Sequence, residues 1–149
     1  LEEAIGIFTL DDDIRRLQAC FVTFLVVHDL IGESVSFCPT GIHTIEHLAA
    51  TYLRNNPEWK DSIVYWGPMG CLTGNYLLMR GRLEPADILT LMQDTFRFVA
   101  EFEGEIPGAA PMDCGNWVLH DLPMARLEAR RYLEEVLLNC KPENLVYPE

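Results

Sequence analysis

No stretch of this 149-residue chain approaches the run of about 18 apolar residues that a membrane-spanning helix needs, and the Ala19 to Val27 run (ACFVTFLVV) is short by about half. Positive charge is scarce as well. Eleven Lys and Arg face 23 Asp and Glu, and the net charge of −12 works against binding nucleic acid or an anionic membrane surface. The five cysteines are odd in number and irregular in spacing, so they make no disulfide framework. A reducing cytoplasm is the expected setting, with the thiols free for metal binding or catalysis. The start, Leu1-Glu2-Glu3-Ala4, lacks both the basic residues and the apolar centre of a signal peptide. Without an initiator methionine it reads as a trimmed or partial chain. Internal repeats, low-complexity segments and domain boundaries are absent too. Small-molecule chemistry or a protein partner is what these absences leave.

What is present reads as one domain over residues 1–149, with a hydrophobic content of 49% that supports a real core. The aspartates at 11–13 open at most a short helix. Ala19–Val27 is a continuous apolar, β-branched run expected to form a strand buried on both faces, with His28 at its end as a backbone-bonded histidine. Gly32 to Gly41 reads as a loop. A helix follows, with Thr40 as N-cap, Ile45, Leu48 and Tyr52 at helical spacing, and Asn55-Asn56-Pro57 as its stop. Ser62–Trp66 is a second strand, Gly67–Gly70 a turn, and Cys71–Arg80 a third strand carrying Gly74. Glu84-Pro85 opens a helix whose Ile88, Leu91, Met92, Thr95 and Val99 form a core stripe. Gly104–Met112 is a loop. Asp121-Leu122-Pro123 starts a last helix with Leu133, Val136, Leu137 and Cys140 on one side, Cys140 as a small apolar filler. The pattern predicts an α+β fold, a mainly antiparallel sheet with helices packed on one face.

The chemistry gathers at His43-Thr44-Ile45-Glu46-His47. Residues three and four apart share a helix face, so two imidazoles can grip one divalent ion while Glu46 stays beside it as a proton carrier. A catalytic site of this kind usually has three protein ligands, which leaves Cys114, Cys71, His120 or a carboxylate as candidates for the third. Cys114 follows a Gly/Pro-rich loop and precedes Gly115. A His-His-Cys set with an open position suits zinc or ferrous iron. Cys71 sits at a sharp Pro-Met-Gly turn.

Three motifs together resemble S-ribosylhomocysteine lyase, the LuxS family. They are His43-Thr44-Ile45-Glu46-His47-Leu48, then Pro68-Met69-Gly70-Cys71-Leu72-Thr73-Gly74, then Cys114-Gly115 with Leu119-His120-Asp121-Leu122, in the family's order and spacing. The resemblance runs from about Gly41 to the end of the last helix. It implies that His43, His47 and Cys114 hold the metal, ferrous iron natively and often zinc in preparations. It also implies that Glu46 and Cys71 are the acid–base pair. The expected reaction moves the carbonyl of S-ribosylhomocysteine along the ribose and eliminates homocysteine, leaving the dihydroxypentanedione precursor of autoinducer-2. Arg54 matches an arginine that reaches the substrate of the neighbouring subunit, and the family is a homodimer with sites at the interface.

The N-terminal third departs from that pattern. Ile7 and Asp12 stand where the family has serine and histidine, no arginine appears around His28-Asp29-Leu30-Ile31, and Tyr65 replaces an aspartate. These departures keep a second reading in view, a divergent homologue that turns over or merely binds another sugar thioether. His-x-x-Glu-His is also an inverzincin signature, so a metallopeptidase is a third.

Overall fold

The computed structural model describes residues 5–9, 18–22, 38–70, 72 and 74–145, with only the backbone for 5–9, 18–22, 143 and 144. Four strands, β1 (Ile5–Thr9), β2 (Gln18–Val22), β3 (Ile63–Pro68) and β4 (Asn75–Met79), form one antiparallel sheet in the order β1-β2-β4-β3. Three helices, α1 (Pro39–Asn55), α2 (Pro85–Glu101) and α3 (Leu122–Tyr132), pack on one another and on the sheet. The α+β expectation holds.

The core lies between sheet and helices. Alternate residues of β4, Leu77 and Met79, are fully buried, as is Trp66 of β3. Opposite them α1 contributes Ile45, Leu48 and Leu53, and α2 contributes Ile88, Leu91, Met92, Phe96 and Val99. The stripe read from residues 88–99 is therefore core. Phe96 sits edge-on between Trp66 and Tyr132, linking sheet, α2 and α3. Burying such aromatic faces stabilises this junction, since each removes a large apolar area from water.

Local chemistry explains the helix ends. Glu84 caps α2, with its backbone N–H bonded to Asp87 in a reciprocal box, and Pro85 occupies the first turn. Asp121 caps α3, accepting from the Met124 N–H at 2.9 Å. For α1 the expectation of Thr40 as N-cap is corrected. The cap is Cys38, because Pro39 fits the first helical position and starts the helix before Thr40. Residues 39–41 thus leave the expected loop. The stop at Asn55-Asn56 is as expected.

Strand boundaries shift for physical reasons. β3 runs through Gly67 and Pro68 instead of ending at Trp66, because among the described residues it is the outer strand, where proline's missing N–H costs no ladder bond. The turn begins at Met69, whose N–H bonds to Gly74 O at 2.8 Å, and Leu72 takes a positive φ of 60° within it. β4 is consequently shorter than the expected 71–80, and Gly74 precedes it. β1 was not anticipated: five residues including a glycine become a strand by pairing with β2. β2 takes in Gln18, and 23–27 lie outside the described residues, as do the aspartates at 11–13 and His28. The last helix continues as a π-helical turn, Leu133–Leu137, with Leu133 and Leu137 buried. Cys140 is half-buried and burial raises its thiol pKa, which suits an inert filler.

Candidate metal centre

Helix α1 presents His43, Glu46 and His47 on one face, all half-buried. Each histidine is fixed from behind. His43 Nδ1 lies 2.8 Å from Leu119 O, and His47 Nδ1 lies 2.8 Å from Pro107 O. A carbonyl oxygen can only accept, so both Nδ1 atoms carry the proton and both Nε2 atoms keep a free lone pair. This is the orientation of metal-ligating histidines. The Pro107 carbonyl reaches His47 because Gly108 adopts φ +71°, and a Cβ there would lie 3.3 Å from His47 Nδ1.

Cys114 comes from the far end of the loop after α2. Its Sγ lies 3.4 Å from His43 Nε2, close to the ~3.6 Å edge of a tetrahedron built on ordinary zinc–nitrogen and zinc–sulfur distances. The planes of His43 and His47 are nearly perpendicular, at 89°. With His120 these residues form a cluster whose ligand atoms all lie within 4.8 Å of one another. Two imidazole nitrogens with free lone pairs and a thiol, gathered at such spacing, fit a single divalent ion.

His120 precedes α3, and a hydroxyl on α1 holds it. Thr44, fully buried, donates to Thr40 O at 2.8 Å and accepts from the Asp121 N–H at 2.9 Å. Its only proton is committed, so the 3.2 Å contact with His120 Nδ1 requires that Nδ1 to donate. His120 Nε2 is then a bare acceptor, buried and without a partner among the described residues. Burial first, then the neighbouring His43 and His47, push its pKa down to about 4. The two helices approach closely enough for this because residue 41 is glycine, where a Cβ would meet Met124 Cγ at 2.9 Å.

Among the described residues, two clefts reach the cluster. One, of about 390 Å³, is lined by Glu46, His47, Arg54, Trp66 and Asp113 among others. A larger one, of about 780 Å³, is lined by residues 104–110, Asp113, His120 and Leu122, and shares Pro107, Gly108 and Asp113 with the first. Of the expected site residues, His43, His47 and Cys114 come together, with Glu46 and the exposed Arg54 on the adjoining cleft. Cys71 lies outside the described residues. Sequence reading named His120 as a candidate ligand but gave Thr44 no part. Its position inside the His-x-x-Glu-His segment was the only available signal.

The family model described as S-Ribosylhomocysteinase (LuxS) matches residues 33–143. The S-ribosylhomocysteine lyase of Phocaeicola vulgatus is 71% identical over 107 residues, 72% of this chain and 66% of that protein. That of Porphyromonas gingivalis (strain ATCC 33277) is 67% identical over 108 residues, 72% of this chain and 68% of that protein. That of Clostridium beijerinckii is 47% identical over 130 residues, 85% and 82% of the two chains. The chain spans about two thirds of the length of the first two. The family match begins at residue 33, so the departures at Ile7, Asp12 and residues 28–31 precede the matched stretch.

Proposed function

The chain belongs to the S-ribosylhomocysteinase (LuxS) family, and from that premise we propose that it is a metal-dependent carbon–sulfur lyase acting on S-ribosylhomocysteine. The products are homocysteine and the dihydroxypentanedione precursor of autoinducer-2. The observation that carries this reading is the pair of backbone-anchored histidines beside Cys114, on the same helix face as Glu46. Relatives at 71% and 67% identity bear the name of this one substrate, which favours it over another sugar thioether.

His43, His47 and Cys114 would hold the ion, ferrous iron on this reading, with zinc able to take its place. Bound there, the ion supplies Lewis-acid polarisation of substrate oxygens, which acidifies the neighbouring C–H bonds. Glu46 supplies the proton transfers. A carboxylate on this helix face can take a proton from a ribose carbon next to the carbonyl and return it one position along, so that the carbonyl migrates. Cys71 is the second acid–base group, a thiol of a kind that serves as a base when ionised near a cation. In the last step a proton leaves the carbon next to the carbonyl, its electrons form a C=C bond, and the C–S bond breaks to release homocysteine thiolate. Arg54, exposed at the mouth of the smaller cleft, binds a substrate anion, reaching the site of a second copy in a homodimer.

Proton exchange tests this directly. The metal-replete protein incubated with S-ribosylhomocysteine in D2O should place deuterium on ribose carbons, read by NMR. Glu46→Gln should keep the metal and lose the exchange. Undiminished exchange in Glu46→Gln, or an untouched substrate with metal-replete wild type, would overturn the assignment.

A further inference from the structure

The third imidazole of the cluster, that of His120, has no part in the scheme above. Its ring lies almost parallel to His43, with centroids 4.2 Å apart and planes 16° from each other. An imidazole binds a metal in its own ring plane, along the nitrogen lone pair. Nearly parallel, stacked rings share no point within bonding reach of both, so His43 and His120 would not both offer an in-plane lone pair to one ion. His47 stands nearly perpendicular to both rings, as a converging ligand should. Geometry thus divides the four groups into three that converge and one that flanks.

The flanking group is also the one left unsatisfied. Thr44 fixes the His120 tautomer through its committed hydroxyl, so Nε2 is an acceptor with nothing to accept from among the described residues. A buried, unpaired acceptor carries a desolvation cost, which a hydrogen-bond donor arriving at Nε2 would offset. The same ring borders the larger cleft, which shares Pro107, Gly108 and Asp113 with the cleft of Glu46.

We propose that His120 is a substrate-orienting residue whose bare Nε2 accepts a hydrogen bond from a sugar hydroxyl of the substrate bound in the adjoining cleft. The inference rests on the lyase reading for the identity of the hydroxyl, but not for the division into three ligands and one flanking acceptor. Sugar chemistry suits the arrangement. The substrate offers adjacent hydroxyls, and holding one of them by its proton presents its oxygen and the neighbouring C–H bond to the metal and Glu46 in one orientation.

Two substitutions separate the atoms of the ring. His120→Asn keeps a donor near Nδ1 for Thr44 and removes the Nε2 acceptor, while His120→Gln places an amide oxygen near Nε2. His120→Asn should bind one metal per chain, as wild type does. It should lose about 10- to 100-fold in kcat/KM with S-ribosylhomocysteine, and His120→Gln should recover part of that loss. In the zinc-loaded wild type, the 15N signal of His120 Nε2 should move when S-ribosylhomocysteine is added, as that of an acceptor gaining a proton donor. Loss of the metal from His120→Asn would make His120 a ligand and overturn the proposal, as would kcat/KM equal to wild type or a static Nε2 signal in a protein that turns substrate over. A wild type that holds metal and releases no homocysteine would count against the lyase reading. In that case the metal content of His120→Asn still decides whether this ring is a ligand.

Discussion

Thr44 Oγ1 and His120 Nδ1 lie 3.2 Å apart across 76 residues of sequence, and through that contact helix α1 holds the segment that begins α3. The same oxygen takes the Asp121 N–H and gives its own proton to Thr40 O. Thr44→Val keeps the shape and deletes both acceptor bonds, leaving the Asp121 N–H and the His120 Nδ1–H unpaired. The protein should lose about 1–3 kcal/mol of stability, measured by denaturant unfolding, while still binding one metal. An unchanged midpoint would remove Thr44 from this role.

Gly108 should prove essential to metal retention without touching the metal. An alanine there is strained at φ +71° and presses on His47 Nδ1, disturbing the bond to Pro107 O. Metal affinity should fall about 10- to 100-fold, read by competition with a chromogenic chelator, with little change in the far-UV spectrum.

His120 gives the metal-free protein a pH dependence. Its pKa is held near 4 in the fold against 6.5 ordinarily, so the unfolded chain binds the proton more readily. The stability is fully present above pH 6.5 and is lost as pH falls toward 4. Melting of the metal-free protein over that range should show the decline, and His120→Asn should flatten it. An identical slope in both would contradict the assignment.

Phe96 joins sheet and helices at full burial. Phe96→Ala should cost about 3–5 kcal/mol by urea unfolding, the usual result of a large core cavity. A loss below about 1 kcal/mol would mean that the core collapses around the gap.

The parts legible in the sequence were those set by near neighbours. His43 and His47 declare themselves because one helical turn separates them, and α2 declares itself through Glu84-Pro85 and its apolar stripe. Asp121 ahead of Leu122-Pro123 marked the start of α3 in the same way. Cys114 and His120 were visible as candidates from residue type and motif, but their convergence depends on the loop after α2 and on the anchoring of Thr44. Nothing local links residue 44 to residues 120 and 121. Strand ends were illegible for a related reason. Pro68 reads as a breaker in isolation and is tolerated only because β3 lies at the sheet edge, while β1 exists through its pairing with β2. The cap of α1 fell to Cys38 because Pro39 sets the first turn, a preference stronger than the hydroxyl of Thr40.

Homocysteine release decides whether this metal centre is that of a lyase. The protein, loaded anaerobically with ferrous iron, is mixed with S-ribosylhomocysteine and the free thiol is followed with a colorimetric reagent. Wild type should produce thiol steadily, and Glu46→Gln should abolish that production while its metal content stays at one ion per chain. No thiol from a metal-replete wild type, or equal production by Glu46→Gln, would contradict it.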